Sequence, residues 1–471
     1  MGLSNSHKCD VTSYSMRVKV ASLLACIALL MGLCCAPGIA YADVYKTDII
    51  LGKTVEERDL DVSRCPNIFC ERACLIDEEG NILFERDAHT PTKIASITKV
   101  MTAIIALENT SLNDSLTVSE RAIDVGESSS GLEAGDIITM ENVIKAMIVP
   151  SGNDAAHAIM EYVGARLIAD KKTELTDPEA AFIEAMNKKA KEIGCEDTLF
   201  TNPHGLDDGD FASDAHSTAH DVAVMSRYAM QNEFLASVAE AGNNYADVIR
   251  YGENISLGLE STNQLLDFYA PCTGLKTGST DEAGYCFAGS ATSGTVSLYS
   301  AVLGSDDPSE RFYDTRDLMN WGFAHRVEYK LIQSMTTTRI TVDGTTKTVP
   351  VVASVPHAAW TDRTFYATVA DPTQSINLFD IEGNVSQQVD FDEIENDVHV
   401  GDKVGTITFF QRNVEIAKVD MISCEEVEAP SMLERLGIWF ERLLRGFRDE
   451  PTVAEGEVYN QTPLLNNRAG A

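Results

Sequence analysis

The sequence predicts a mixed α/β domain with a largely antiparallel sheet, then a small all-β domain and a C-terminal amphipathic helix. Three patterns carry this expectation. Strand-like segments stand at both ends of residues 73–303, with helix-patterned runs between them. Past about His325 the texture changes to short alternating strands separated by turn residues. From Ser431 to Arg448, Leu433, Leu436, Phe440, Leu443 and Phe447 recur at i+3/i+4 spacing. A chain of 471 residues with ordinary apolar content is long enough for more than one domain. The expected divisions are a leader over 1–42, the α/β domain over 43–325, the β domain over 326–427, the helix within 428–450 and a disordered tail over 451–471.

The leader is read from Arg17 and Lys19, an apolar run from Val20 to Ala40, and Ala40-Tyr41-Ala42 before Asp43. A basic start, an apolar middle and a small-residue cleavage site describe a secretory signal peptide. The run is also long enough to span a bilayer, so an uncleaved anchor is the rival reading. Next, Ala73 to Glu85 reads as a hairpin turning at Gly80-Asn81. Ser96 follows at the head of the first long helix, with Thr92 or Ser96 itself near the cap. Helices are expected over 140–149, 154–167, 178–193 and 217–231. Strands are expected at 274–278, 284–291 and 297–303. In the second domain they are expected within 327–340, 347–355, 364–369, 388–391 and 403–407.

The balance of 37 Lys+Arg against 72 Asp+Glu, with no basic stripe, argues against a nucleic-acid partner. Seven of the eleven cysteines lie beyond the leader, namely Cys65, Cys70, Cys74, Cys195, Cys272, Cys286 and Cys424. An exported chain permits disulfides, and an odd number leaves at least one thiol unpaired. Cys272 and Cys286 are candidates for one bridge. Cys65, Cys70 and Cys74 lack the C-x2-C spacing and nearby histidine of a zinc site.

Three short motifs carry the chemistry. Ser96-Ile97-Thr98-Lys99 puts a hydroxyl and an amine three residues apart on one helix face, the minimal equipment for a serine nucleophile with a lysine base. Ser151-Gly152-Asn153 and Lys276-Thr277-Gly278 follow in order. Each alone is an ordinary turn or strand sequence, whereas their joint order is specific.

With Pro150-Ser151-Gly152-Asn153-Asp154, Thr201-Asn202-Pro203-His204-Gly205-Leu206 and Gly274-Leu275-Lys276-Thr277-Gly278-Ser279, the chain resembles the penicillin-binding D-alanyl-D-alanine carboxypeptidases of bacterial cell-wall metabolism. The resemblance covers almost all of the secreted part, including the β domain and the C-terminal helix. It implies a β-lactamase/transpeptidase-like α/β fold with helices on both sides of the sheet. It also implies substrates that are peptidoglycan stem peptides ending in D-Ala-D-Ala, with β-lactam antibiotics as inhibitors. On this reading Ser96 is the nucleophile, Lys99 its base and Ser151 a proton relay. Asn153 binds substrate amides, Lys276 and Thr277 hold the terminal carboxylate, and Ser96 and Ser279 supply oxyanion-hole N–H groups. Gly278 leaves the strand edge bare for substrate. The helix N-terminus and Lys276 are expected to lower the Lys99 pKa.

Pro271-Cys272-Thr273-Gly274 departs from the Val-Asp-Gly common in the family. His216 and His220 stand at i, i+4, a zinc-like spacing with His204 or Asp207 in reach. The family-like segment carries no metal role, so no metal and no cofactor is expected. His220 and Asp221 are expected to form a structural polar pair. Two rivals remain: a β-lactamase-type hydrolase, for which no activating glutamate stands out between Ser151 and Lys276, and an inactive peptidoglycan-binding protein. The helix from Ser431 to Arg448, with Arg435, Arg442, Arg445 and Arg448 on its polar side, is expected to lie on a membrane surface, with docking on another protein surface as the rival reading.

Overall fold

The computed structural model describes residues 45–342 and 344–465. The expected leader, 1–42, and the last part of the expected tail, 466–471, lie outside the described residues. The chain divides into two compact units between Trp321 and Gly322, a few residues before the expected boundary.

The first unit is built on a seven-stranded sheet in which every pairing is antiparallel. Its centre joins the early hairpin, Arg72–Asp77 and Ile82–Arg86, to the late strands Val296–Ser305, Gly284–Ser293 and Cys272–Thr280. Cys272–Thr280 therefore lies at the edge, paired on one side only. Alternation along the strands separates two apolar faces. Cys74, Ile76, Ala288, Ala301 and Leu303 face the helical core formed around Thr98–Asn109, Asn153–Ala169 and Ala219–Met230. Phe84 and Phe287 face the other way and meet Trp321 and Phe312 of helix Glu310–His325 edge-on, with centroids 5.9 and 5.2 Å apart. The sheet is thus covered on both sides.

The predicted helices appear as Met140–Ile148, Asn153–Ala169, Pro178–Glu192 and Ala219–Met230. The helices Glu120–Ile123, Glu233–Glu240, Leu265–Phe268 and Glu310–His325 were not expected. Nor was the hairpin Asn244–Arg250/Glu253–Leu259, which completes a separate four-stranded sheet with Ser115–Thr117 and Ile137–Thr139.

The second unit holds a six-stranded antiparallel sheet around Val355, Phe365, Ala367, Ile407, Phe409 and Met421. Strands Ser375–Phe379 and Val414–Ser423 add to those expected. The helix is Met432–Phe447, started by a capping box between Ser431 and Glu434. The disordered tail needs correction over its middle part. Glu457–Val458 pairs with Ala353 and Ser354. The buried Asn460 side chain accepts from the Gln333 N–H and donates to the Leu331 carbonyl and Gln387. Polar composition here marks hydrogen-bonding capacity that the β unit uses.

Candidate active site

Ser96 sits on a single 3-10 turn, Ala95–Ile97, that runs directly into helix Thr98–Asn109. Neither Thr92 nor Ser96 caps this helix, as the sequence suggested. The cap position is Ile97, without a side-chain bond, and Thr92 instead bridges to Ser217 in β fashion. The turn is entered through Ala95 at φ +47°, a conformation that a residue with a Cβ seldom adopts. Lys99 is fully buried, and its Nζ donates to Ser96 Oγ at 2.7 Å and to the His204 carbonyl at 2.9 Å. Its pKa is held well below the ordinary lysine value, first by burial and then by the Lys276 cation, against the pull of Asp154 and Glu127. Burial, which the sequence reading left out, is the larger cause.

The acceptor for Lys99 comes from the loop after helix Pro178–Glu192. Thr102 Oγ1 donates to the Pro203 carbonyl at 2.6 Å, and Asn202 ties the loop to itself through Gly205 N and the Leu206 carbonyl. Gly205, at φ +87°, lies so close to the turn carrying Ser96 that a Cβ there would stand 1.9 Å from the Ala95 carbonyl oxygen. His204 is buried beside Lys99, and burial with the Lys99 charge pushes its pKa down to about 2, so the ring is neutral.

Ser151, at φ +67°, is buried on the turn leading into helix Asn153–Ala169. Asn153 Nδ2 donates to the Gly126 carbonyl at 3.0 Å, and its backbone N–H donates to the Ser128 carbonyl at 2.7 Å. The amide nitrogen expected for substrate thus holds a loop, while Oδ1 is buried without a protein partner. Asp154 fixes the next stretch of that loop, accepting from Ser129 Oγ and from the N–H and Oγ of Ser130. A Cβ on Gly152 would collide with Asp154, Ser130 and the Ala146 carbonyl, so the middle residue of this motif is set by packing.

Lys276 and Gly278 share one face of the edge strand. A Cβ on Gly278 would stand 2.5 Å from the Ile94 carbonyl oxygen and 3.3 Å from Ala95 Cβ. The bare position expected to admit substrate therefore seats the strand against the turn carrying Ser96. Lys276 is buried, donates to the Thr277 carbonyl at 3.0 Å, and has its pKa lowered to about 7 by burial and by Arg311. Thr277 Oγ1 lies 2.7 Å from Thr262 Oγ1, and Ser279 is exposed. Arg311 donates to the Gly278 carbonyl at 3.0 Å from the far side of the sheet edge, and Thr280 Oγ1 donates to Asp207 at 2.6 Å.

Comparison with known proteins places this arrangement. A sequence profile of peptidase family S11, described as D-alanyl-D-alanine carboxypeptidase, matches residues 60–307, a little over half of the chain. The chain belongs to the D-alanyl-D-alanine carboxypeptidase family. It is 31% identical over 258 residues to the D-alanyl-D-alanine carboxypeptidase DacF of Bacillus subtilis, covering 54% of this chain and 61% of that one. It is 27% identical over 377 residues to DacD of Escherichia coli, covering 77% of this chain and 87% of the relative. Among solved structures, the Streptomyces K15 DD-transpeptidase matches with TM-score 0.51 and 28% identity over 55% of this chain and 98% of its own. DacD of Francisella tularensis, at 22% identity, matches in fold with TM-score 0.52 over 77% of this chain and 95% of its own.

Within this S11 member, the remaining candidates separate. The Cys272–Cys286 bridge is corrected: all seven described cysteines are free, and register explains why. Cys272 pairs opposite Ala291 while Cys286 pairs opposite Gly278, so the two lie about five or six rungs apart at roughly 3.3 Å each. His216 contacts its own loop at the Asp214 carbonyl, whereas His220 turns to Asp221 and stacks near His89. Asp221 also accepts from Asp197 N and Thr198 Oγ1, a polar anchor for the start of its helix. Sequence reasoning missed Asp154, Arg311 and the Pro203-His204 carbonyls. The Asn-Pro-His-Gly turn signal marked the last of these, but its purpose lay in tertiary contact.

Proposed function

We propose that this protein is a serine-type D-Ala-D-Ala carboxypeptidase that removes the terminal D-alanine from peptidoglycan stem peptides. The observation that carries the reading is the 2.7 Å bond between Lys99 Nζ and Ser96 Oγ, made by an amine that burial and Lys276 keep easily deprotonated. A neutral Lys99 takes the Ser96 proton as Oγ attacks the carbonyl of the penultimate D-alanine. The tetrahedral oxyanion sits between the backbone N–H groups of Ser96 and Ser279 on the edge strand. Ser151 passes the proton to the leaving amine, D-alanine departs, and water later cleaves the acyl-enzyme. Lys276 and Thr277 hold the terminal carboxylate, and Asn153 Oδ1 is free to accept a substrate amide. A β-lactam enters the same path and acylates Ser96.

The enzyme works outside the cytoplasmic membrane, and helix Met432–Phe447 lies in the membrane surface. Its apolar side is open, with Leu433, Leu436, Trp439, Phe440 and Phe447 exposed, while Arg442 on the other side donates to the Ala358 and Trp360 carbonyls. No helix among the described residues is long and apolar enough to cross a bilayer, which suits an interfacial position. The test is release of D-alanine from a peptide ending in D-Ala-D-Ala, run beside labelling by penicillin. Both should vanish in Ser96→Ala; labelling that survives overturns the mechanism, and labelling without D-alanine release by the unaltered chain overturns the carboxypeptidase assignment.

A further inference from the structure

The end of the edge strand makes a contact that the reaction above does not use. Thr280 Oγ1 donates to Asp207 Oδ2 at 2.6 Å and accepts from the Ala283 N–H at 3.1 Å. Hydroxyl and carboxylate thus tie the last residue of strand Cys272–Thr280 to the loop that carries His204. Asp207 is buried, and among the described residues no lysine, arginine or histidine forms an ion pair with it. A carboxylate taken out of water without a counter-charge is a poor way to stabilise a fold. The place of the contact accounts for it better.

On the loop, Asp207 follows closely on His204, whose carbonyl holds Lys99, and on Gly205, which abuts the Ala95 carbonyl. The Leu206 carbonyl between them is gripped by Asn202 Nδ2, so a shift of Asp207 passes to His204 with little slack. On the strand, alternation puts Lys276, Gly278 and Thr280 on one face. Gly278 rests against the Ile94 carbonyl, and Thr280 adjoins Ser279, whose N–H belongs to the oxyanion hole in the proposed reaction. The strand pairs on one side only, where Thr280 lies opposite Gly284. Its open side is steadied by the Asp207 contact, by the Gly278 seat and by Arg311 on the Gly278 carbonyl.

Resting on the acyl-enzyme reading, we propose that Asp207 and Thr280 are positioning residues for acylation, their bond setting the gap between the Ser96–Lys99 pair and the Ser279 N–H. The oxyanion exists only once Ser96 has attacked. A looser gap therefore lowers the rate of acylation and leaves the binding that precedes it nearly unchanged. A misplacement of about 1 Å in such a site costs about 100-fold, and loss of this one bond, with Gly205 and Gly278 still seated, about tenfold.

The experiment follows acylation by a fluorescent penicillin in stopped flow, separating the dissociation constant of the first complex from the first-order acylation rate constant. That rate constant does not depend on how much of a preparation is active, so partial unfolding does not imitate the effect. Asp207→Ala and Thr280→Val should each slow acylation about tenfold and change the dissociation constant by less than about twofold. Thr280→Val also deprives the Ala283 N–H of its acceptor, which Asp207→Ala does not. Thr280→Ser, which keeps the hydroxyl, should restore most of the rate. The double variant Asp207→Ala/Thr280→Val should be little slower than the slower single one, because both changes break the same bond. An unchanged rate in Asp207→Ala, losses that multiply in the double variant, or a loss confined to the dissociation constant overturns the assignment. D-alanine release by the unaltered enzyme is measured alongside. Labelling without release overturns the carboxypeptidase reading and leaves the positioning role to the acylation rates; no labelling overturns the acyl-enzyme reading and this inference with it.

Discussion

Replacing Lys276 by methionine should make the protein more stable and less active, because the structure holds this lysine against its own preference. Moving its proton equilibrium from 10.5 to about 7 corresponds to about 4 kcal/mol of lost folding stability at neutral pH, at about 1.4 kcal/mol per pH unit. Methionine fills nearly the same volume without that penalty. It forfeits the 3.0 Å bond to the Thr277 carbonyl, and leaving that buried acceptor unpaired costs about 1–3 kcal/mol. The net expectation is a gain of about 1–3 kcal/mol, or about 2–4 °C in Tm per kcal/mol for a unit of this size. The sign has a pH signature. The unfolded lysine binds a proton between about pH 7 and 10.5 while the folded one does not, so this group makes stability rise with pH across that window. Lys276→Met should flatten that rise.

Function should move the other way. On the proposed mechanism Lys276 binds the substrate carboxylate, and losing such a charged partner costs about 1.5–3 kcal/mol, or about 10–100-fold in kcat/KM. Two limbs of the pH profile should change with it. The alkaline fall, set near pH 7 by neutralisation of Lys276, should disappear. The acid limb, set by protonation of Lys99, should move to higher pH because the neighbouring cation that disfavours the Lys99 charge has gone. Thermal melts across pH and pH-resolved D-alanine release measure both halves. A variant that melts below the parent, or an acid limb that stays in place, refutes the reasoning.

Gly278→Ala would place a Cβ 2.5 Å from the Ile94 carbonyl, so it should cost about 1–3 kcal/mol in a thermal melt and slow penicillin acylation by more than tenfold. In Asp154→Asn the charge-assisted bonds to Ser129 and Ser130 weaken, lowering stability by about 1.5–3 kcal/mol. Its acid limb should shift to lower pH, since the anion that favours protonated Lys99 is lost. Truncation after Arg448 removes the strand Glu457–Val458 and the buried Asn460, so the β unit should melt earlier while vesicle binding by helix Met432–Phe447 persists.

Part of the candidate site's geometry was legible because it is local. Ser96 and Lys99 lie three residues apart, and a helix makes them neighbours whatever the rest of the chain does. The early hairpin, four helices and the amphipathic C-terminal helix were legible for the same reason: each is written in short-range periodicity. What the chain sequence did not carry is what depends on which segments touch. Burial lowers the Lys99 and Lys276 pKa more than any charge does, and burial follows from how sheet, helices and loops close over both amines. The cysteines suggested a bridge by flanking a motif, yet strand register separates them. The hairpin at Tyr251-Gly252 was readable in alternation but lay outside the motif order that drew the reading. Asn460 resembled a disordered tail because composition counts polar groups without asking whether a partner awaits them.

The glycines make this limit concrete. Gly152, Gly205 and Gly278 belong to three motifs far apart in sequence, and each looks like punctuation in a turn or strand. In the fold all three mark close approaches: the 205 loop and the 278 strand press on Ala95 and Ile94 beside Ser96, and the 152 turn presses on Ser130, Asp154 and the Ala146 carbonyl. A backbone held at these distances leaves the turn carrying Ser96 little room to relax, which suits a residue entered through a positive φ at Ala95. At Gly205 and Gly278 the main chain itself therefore backs the turn that carries Ser96, with no side chain between. Large-to-small changes in the surrounding core should trouble the reaction less than adding one methyl group at these three places.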